Sequence, residues 1–392
     1  MRVLLVHEKY RLRGGEDVAV EAEESLLAAG GVEVATLIED NTRIEGGGSL
    51  SLALRSIWSR EGYRAVSEAI ASHRPDIVNI HNTFPLLSPS VYYAARAQGI
   101  PVVQTLHNFR LLCTNGFLLR DGRVCGDCIG RTMKWPAVKH ACYRSSRPAS
   151  AAVAAIVGSH HLAGTWRRRV DLYLALNPLS RDLFIQGGLP PDRVDVCPPP
   201  VRDPGPGPAA NHERKGALFV GRLSPEKGLE TLIEAWRGVE IPLDIVGEGP
   251  LADSLIQRAP PQVRFRGPLP PSEVSAAMTH AAFLVFPSLW YENFPLVVAE
   301  AMAHGLPVLA SSEGAPSHML EDGVTGAFAR PGDSADWRRN AMALAAQAGD
   351  LRRLGTSARR CFETRYASGP ALERRLRLYG SLLGGRLGSA PR

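Results

Sequence analysis

Val3-Leu4-Leu5-Val6, then Arg13-Gly14-Gly15, then Glu16 to Ala29 stopped by Gly30-Gly31, then Val32 to Ile38: this opening run decides the fold. The short apolar stretch predicts a buried parallel strand, the glycine pair a loop, and the charged segment after it a helix. Further strands are expected at Ile77 to Ile80, Val102 to Leu106, Ile156 to Val157 and Leu172 to Leu176, with helical segments between several of them. Such alternation implies a parallel sheet covered on both faces.

Working outward, the composition changes between Cys197 and Gly216, where Pro198-Pro199-Pro200 and Pro204-Gly205-Pro206-Gly207-Pro208 exclude helix and central strand. We read residues 198–216 as an interdomain linker. The alternation restarts beyond it. Strands are expected at Leu218 to Val220, Leu243 to Val246, Val263 to Arg266, Phe283 to Phe286 and Val308 to Ala310, and helices at Gly228 to Trp236 and Pro295 to His304. The expected architecture is α/β, with two doubly wound Rossmann-like domains, 1–197 and 217–365, facing a central cleft, and a C-terminal helix and tail, 366–392, packing back on the first.

The chain has 392 residues, 45% apolar and 21% charged, which excludes a disordered or fibrous class. A formal charge of +6 suits a phosphorylated ligand or an anionic membrane surface without identifying either, and gives no indication of nucleic acid. The run Val3 to Val6 ends at His7-Glu8, too short for a signal-peptide core. No stretch reaches the roughly 20 apolar residues of a spanning helix, the nearest being Ala149 to Gly158. The expected location is the cytoplasm, with peripheral contact at the inner face of the cell membrane left open.

Trp290-Tyr-Glu-Asn-Phe-Pro-Leu-Val-Val-Ala-Glu300 follows a strand expected to end at Pro287, and Pro295 suits a first helical turn. Backbone N–H groups at Asn293, Phe294, Leu296 and Val297 then lie at the positive end of a helix, a place for a phosphate. Glu292 and Glu300 offer carboxylates to hydroxyl pairs of a sugar and a ribose. Taken alone, both are solvated surface glutamates. Gly221-Arg-Leu-Ser-Pro-Glu-Lys-Gly228 adds Arg222 and Lys227, a fork and a point charge for a diphosphate, after another strand.

These segments resemble the donor half of retaining glycosyltransferases of the GT-B fold, family 4. The Glu-x7-Glu motif of that family falls on Glu292 and Glu300, its Gly-Arg-Leu-x-x-x-Lys-Gly loop on Gly221, Arg222, Lys227 and Gly228, and its Ala-Met-Ala-x-Gly-x-Pro-Val on Ala301 to Val308. The resemblance implies that Arg222 and Lys227 neutralise the diphosphate, Glu292 holds sugar hydroxyls, Glu300 the ribose, and residues near Arg266 to Leu269 the base. One departure is Asn293-Phe294-Pro295, where family members often carry Gly-Phe-Gly.

The first domain is expected to face the acceptor. By the resemblance, the Gly14-Gly15 loop meets the donor diphosphate and His107, in Thr105-x-His107, contacts the reacting sugar; read by itself, a histidine there can hydrogen-bond a sugar, help move a proton, or be merely structural. His81-Asn82 ends the preceding strand in the same way and ranks second as an acceptor contact. The segments His81 to Pro89, His107 to Cys113 and Arg120 to Cys128 are similar to a bacterial subgroup linked to surface-polysaccharide or secondary-metabolite glycosylation.

Four of six cysteines, Cys113, Cys125, Cys128 and Cys142, cluster in this domain, with Cys125-Gly-Asp-Cys128 at knuckle spacing. A structural zinc and reduced thiols stand equal, with a disulfide behind them. From Arg131 to Arg147 the chain carries Arg131, Lys134, Lys139, Arg144 and Arg147 with Trp135 and Tyr143 and no acid, either a solvated basic face or a seat for anionic lipid. The expected activity is retaining, hexosyltransferase-type transfer from a nucleoside-diphosphate sugar to a hydroxyl of a glycan, a lipid-linked or a small-molecule acceptor. With no Asp-x-Asp pair in the chain, catalysis is expected to need no metal cofactor. The alternatives are a nucleotide-sugar 2-epimerase of the same architecture and a non-catalytic nucleotide-sugar-binding protein.

Overall fold

A computed structural model describes residues 1–10, 14–43, 50–205, 214–346 and 348–387. Arg13, Pro206-Gly207-Pro208 and the tail beyond residue 387, all used in the sequence reading, lie outside the described residues. The chain divides into two units: Met1–Leu118, Cys125–Pro200 and Ala371–Arg392 form one, and Leu119–Val124 with Val201–Pro370 form the other.

In the first unit, β1 (Arg2–Lys9), β2 (Glu33–Asp40), β3 (Ile77–Ile80) and β4 (Val102–Leu106) are followed by a hairpin, β5 (Leu119–Arg120) and β6 (Arg123–Val124), which counts with the second unit. Then come β7 (Leu172–Ala175) and β8 (Val194–Val196). The parallel sheet runs β2-β1-β3-β4-β7-β8, with Val3 opposite Val34 and Ile77. All residues of β3 and β4 are buried, which is why these strands read as continuous apolar runs. Ile156 and Val157 are not a strand. They lie in the Arg147–Leu162 helix, which Ser146 caps by accepting the Ala149 N–H and which Pro148 opens in its first turn. The final helix, Ser368–Leu387, packs its fully buried Tyr379 in one core with Val3, Leu5, Ile77 and Val103.

The second unit carries β9 (Ala217–Val220), β10 (Leu243–Val246), β11 (Val263–Gly267), β12 (Phe283–Phe286), β13 (Val308–Ser311) and β14 (Gly326–Ala329) in the parallel order β11-β10-β9-β12-β13-β14. Alternate residues enter opposite cores: Phe219, Phe283 and Val285 one, Leu218, Leu284 and Phe286 the other. Both faces are therefore covered. In each sheet the order reverses beside one central strand, between β1 and β3 and between β9 and β12. Open α/β sheets bind ligands off the carboxyl ends of strands at such a switch point. Among the described residues, no helix is long and apolar enough to cross a membrane.

Candidate functional site

The loops at the second unit's switch point carry the predicted residues. After β9, Gly221 turns the chain, a short 3-10 turn spans Pro225–Lys227, and Gly228 adopts φ +71 before the Leu229–Trp236 helix. A Cβ on Gly228 would overlap the Pro287 carbonyl oxygen, so only glycine lets this loop lie against the one after β12. That contact brings together residues remote in sequence. Lys227 Nζ donates to Glu292 Oε1 at 2.5 Å, and the same oxygen accepts from the Trp290 indole at 2.9 Å and the Ser288 hydroxyl at 3.2 Å. Glu292 is buried and fixed from three sides.

Arg222 stays half-exposed at 56%. Its Nη2 donates to Glu226 Oε1 at 3.0 Å and its Nε to Ser224 Oγ at 3.2 Å, so the guanidinium is aimed by its own loop. Burial raises Glu226, but the Ser224 hydroxyl and the Arg222 guanidinium outweigh it and hold its carboxyl below the usual range. The helix after β12 is Leu296–Ala303, one residue later than expected, with Pro295 as its cap rather than in its first turn. Pro295 has ψ 94, outside the helical region, and its carbonyl accepts the Val298 N–H at 3.0 Å. Leu296 and Val297 are thus the first helical residues, and their N–H groups lie where a helix has no acceptors of its own. Phe294 packs edge-on against Tyr366, and Asn293 is buried. Glu300 lies on this helix, its carboxyl raised by burial. Arg266, expected near the base, donates to Asp244 Oδ2 at 3.2 Å.

In the first unit, Gly14 caps the Gly15–Ala29 helix, and its N–H donates to Asp17 Oδ2 at 2.8 Å, the half of a capping box that needs no side chain at the cap. Asp17 Oδ1 meets His7 Nε2 at 2.8 Å. Burial raises Asp17, yet the His7 ring and the Gly14 N–H hold its carboxyl below the usual range. Tyr10, Glu16 and Asn108, not singled out in the sequence, gather beside this loop, Asn108 Nδ2 donating to the Tyr10 hydroxyl at 3.3 Å and to Glu16 Oε2 at 3.4 Å.

His107, after β4, is held by His81, after β3, through Nε2···Nδ1 contact at 2.8 Å. Burial, with His7 and the Arg375 cation nearby, drops His107 to about 3. His81 is 3% exposed and both its ring nitrogens are engaged, Nε2 by Asn79 Nδ2 at 3.2 Å. It therefore stands behind His107 and not beside it as a second contact. Asn82 is likewise committed: Nδ2 donates to the Glu8 carbonyl at 2.8 Å and Oδ1 accepts the Phe84 N–H at 3.2 Å, shaping the turn after β3. His81, Asn82, Tyr92, Gln104, His107 and Trp166 line a cavity of about 70 Å³.

Among the described residues, no three His, Cys, Asp or Glu side chains are grouped to hold a metal. Lys134 is buried beside Cys128, and its Nζ donates to the Cys128 carbonyl at 3.0 Å. Cys113 Sγ donates to Asn115 Oδ1 at 2.9 Å. No disulfide joins any of the six cysteines. Lys134 also leaves the basic face expected between Arg131 and Arg147, while Trp135, 68% exposed, and Met133 remain on the surface.

Comparison with known proteins matches residues 214–347 to the family described as glycosyl transferases group 1 and residues 14–200 to the glycosyl transferase 4-like domain. A D-inositol 3-phosphate glycosyltransferase of Nocardia farcinica is 35% identical over 210 residues, 46% of this chain and 46% of that protein. A GDP-mannose-dependent alpha-mannosyltransferase of Corynebacterium glutamicum is 26% identical over 67% of this chain and 57% of its own length. The chain thus spans about half the length of these curated relatives. Among solved structures, the Anabaena protein HepE, crystallised with UDP, superposes with a TM-score of 0.68 at 17% identity, covering 97% of this chain and 100% of that one. Sucrose-phosphate synthase of Thermosynechococcus elongatus gives 0.70 at 17% identity over 98% and 99%. These are GT-B structures, and the likeness establishes that fold for the two sheets.

Proposed function

This chain belongs to the group 1 glycosyl transferases, and from that premise we propose that it moves a glycosyl group from a nucleoside-diphosphate sugar to an acceptor hydroxyl with retention of anomeric configuration. The observation that carries the reading is the Lys227–Glu292 pair at the switch point of the second sheet, Glu292 lying in the loop that leads into the Leu296–Ala303 helix. An ammonium has three donors; one goes to Glu292, leaving two for phosphate oxygens. Departure of a diphosphate builds negative charge, and Lys227, Arg222 and the helix terminus are already oriented to meet it. Glu292, fixed by Trp290 and Ser288, presents its other oxygen, Oε2, to sugar hydroxyls. Glu300 takes the ribose. Arg222 and Lys227 supply the positive charge that a divalent ion would otherwise provide.

Gly14 and Gly15 serve the donor diphosphate and His107 contacts the reacting sugar, in surface-polysaccharide or secondary-metabolite glycosylation on the cytoplasmic side of the membrane. The residual basic face, with Trp135 exposed, rests on anionic lipid. A melting-temperature screen with uridine, guanosine and adenosine diphosphate sugars tests donor binding, because a ligand that prefers the folded state raises the transition. UDP-glucose and GDP-mannose belong in that screen, being the donors named for a HepE complex and for the mannosyltransferase. The stabilising donor is then incubated with glycan, lipid-linked and small-molecule acceptors, and the anomeric configuration of the product read by NMR. Inversion would overturn the retaining assignment, and conversion of the donor without acceptor would identify an epimerase instead. Absence of stabilisation by every nucleotide sugar would overturn the reading as a whole.

A further inference from the structure

A buried chain of contacts runs from the final helix to His107. Arg375 Nη1 lies 2.6 Å from Glu23 Oε1, with side chains 1% and 3% exposed. An arginine stays protonated in proteins, and a neutral Glu23 would leave that cation buried and uncompensated, so the pair is ionised. The Tyr379 hydroxyl donates to the same carboxylate oxygen at 3.2 Å. Asn79 Nδ2 lies 2.8 Å from it. A carboxylate only accepts, so Asn79 must turn its NH2 end toward Glu23, and its Oδ1 takes the Thr105 hydroxyl at 3.1 Å.

The orientation of Asn79 then dictates the protons of two histidines. Its NH2 group also faces His81 Nε2 at 3.2 Å. An amide nitrogen cannot accept, and Glu23 Oε2, at 3.8 Å, is beyond hydrogen-bond reach of that ring nitrogen. His81 Nε2 is therefore bare and the His81 proton sits on Nδ1, which donates to His107 Nε2 at 2.8 Å. His107 Nε2 is then the acceptor of that bond, and His107 carries its own proton on Nδ1.

We infer that Arg375, Glu23, Asn79 and His81 are positioning residues that lock His107 in the Nδ1–H tautomer, so that it offers substrate oxygens a hydrogen-bond donor and not a base. The groups facing the histidine pair are His7 from β1, Asp17 and Glu23 from the first helix, and Arg375 from the last. Arg375, the fixed cation among them, opposes a second proton on either ring, in accord with the depressed titration of both. The use of the donor in sugar transfer rests on the function proposed above; the tautomer itself does not.

Ring-¹⁵N-labelled full-length protein, studied by long-range ¹H–¹⁵N correlation, tests this directly, with His107→Gln assigning the signals. The expected result is a single neutral His107 tautomer protonated at Nδ1 and unchanged between pH 8 and pH 5. His81→Phe, which removes the donor to His107 Nε2, should abolish that preference while the remaining histidine spectrum stays folded. An Nε2–H tautomer in the parent protein, an imidazolium forming above pH 6, or an unaltered preference in His81→Phe would each overturn the inference, whatever the transfer assay shows.

Discussion

Lys227 and Glu292 stand 65 positions apart in the chain and share one short contact, Nζ to Oε1 at 2.5 Å, where the Gly228 loop lies against the loop after β12. Each side chain thereby fixes the other before any ligand arrives. In Lys227→Met the Glu292 carboxylate keeps the Trp290 and Ser288 donors but loses its cation. We expect a stability loss of about 1–3 kcal/mol by urea unfolding and donor affinity weakened at least about tenfold by calorimetric titration. Unchanged donor affinity would remove Lys227 from the diphosphate site.

Arg222 differs in being held only by its own loop and in being more than half exposed. Its removal should scarcely affect folding, within about 0.5 kcal/mol. Turnover of Arg222→Ala should nevertheless fall on the order of a hundredfold, as when one preoriented charge donor is lost. Arg222→Lys should not restore it, because an ammonium cannot contact Ser224, Glu226 and a phosphate with one planar fork. Steady-state kinetics near wild-type rates for the alanine variant would contradict the assignment.

The strands were legible where the chain is apolar and sharply bounded. Ile77–Ile80, Val102–Leu106, Leu243–Val246 and Phe283–Phe286 have the bounds expected of them, because a strand covered on both faces needs no alternation to be seen. Ile156-Val157 misled for the same reason: a two-residue apolar patch has no period, and the Ser146 cap with Pro148 was the better signal. The β5–β6 hairpin passed unnoticed although Asp121-Gly122 between its strands is a turn pair. At the candidate site, sequence motifs singled out Arg222, Lys227, Glu292 and Glu300 by type and spacing. Neither the Lys227–Glu292 contact nor the Glu23–Arg375 pair was legible, since long-range pairing of charges appears only once both sheets are built. Burial also reversed the expected exposure of His81 and Lys134, which no local pattern signals.

The proposed membrane contact has a separate physical basis. With Lys134 buried, Arg131, Lys139, Arg144 and Arg147 remain beside exposed Trp135 and Met133. At roughly 1 kcal/mol per basic residue near an anionic surface, four such residues suffice for measurable association at low salt. The protein should float with phosphatidylglycerol vesicles, dissociate at about 1 M salt where the Debye length is roughly 3 Å, and ignore phosphatidylcholine vesicles. Trp135→Ala should reduce the floated fraction without altering the melting temperature. No flotation at low salt would leave this face simply solvated.

The pH dependence of stability separates two opposed groups of buried residues. Glu8 is fully buried, and burial raises its carboxyl to about 7 even though it accepts the Leu86 and Leu87 N–H groups at 2.8 and 2.9 Å. A carboxyl raised in the folded state binds its proton more tightly there than in the unfolded chain. Its contribution is complete below the unfolded value of 4.5 and is lost as pH rises through about 7, to the extent of about 3 kcal/mol. His107 acts in the opposite sense: lowered from 6.5 to about 3, it stabilises above 6.5 and loses that contribution as pH falls. The parent curve mixes both effects, so the quantity to measure is its difference from Glu8→Gln, a variant that keeps a carbonyl for one of the two N–H groups and cannot ionise. Guanidinium unfolding from pH 5 to pH 8 should show the parent losing stability relative to the variant as pH rises. A constant difference across that range would mean that Glu8 is ionised throughout, and that its two backbone donors outweigh its burial.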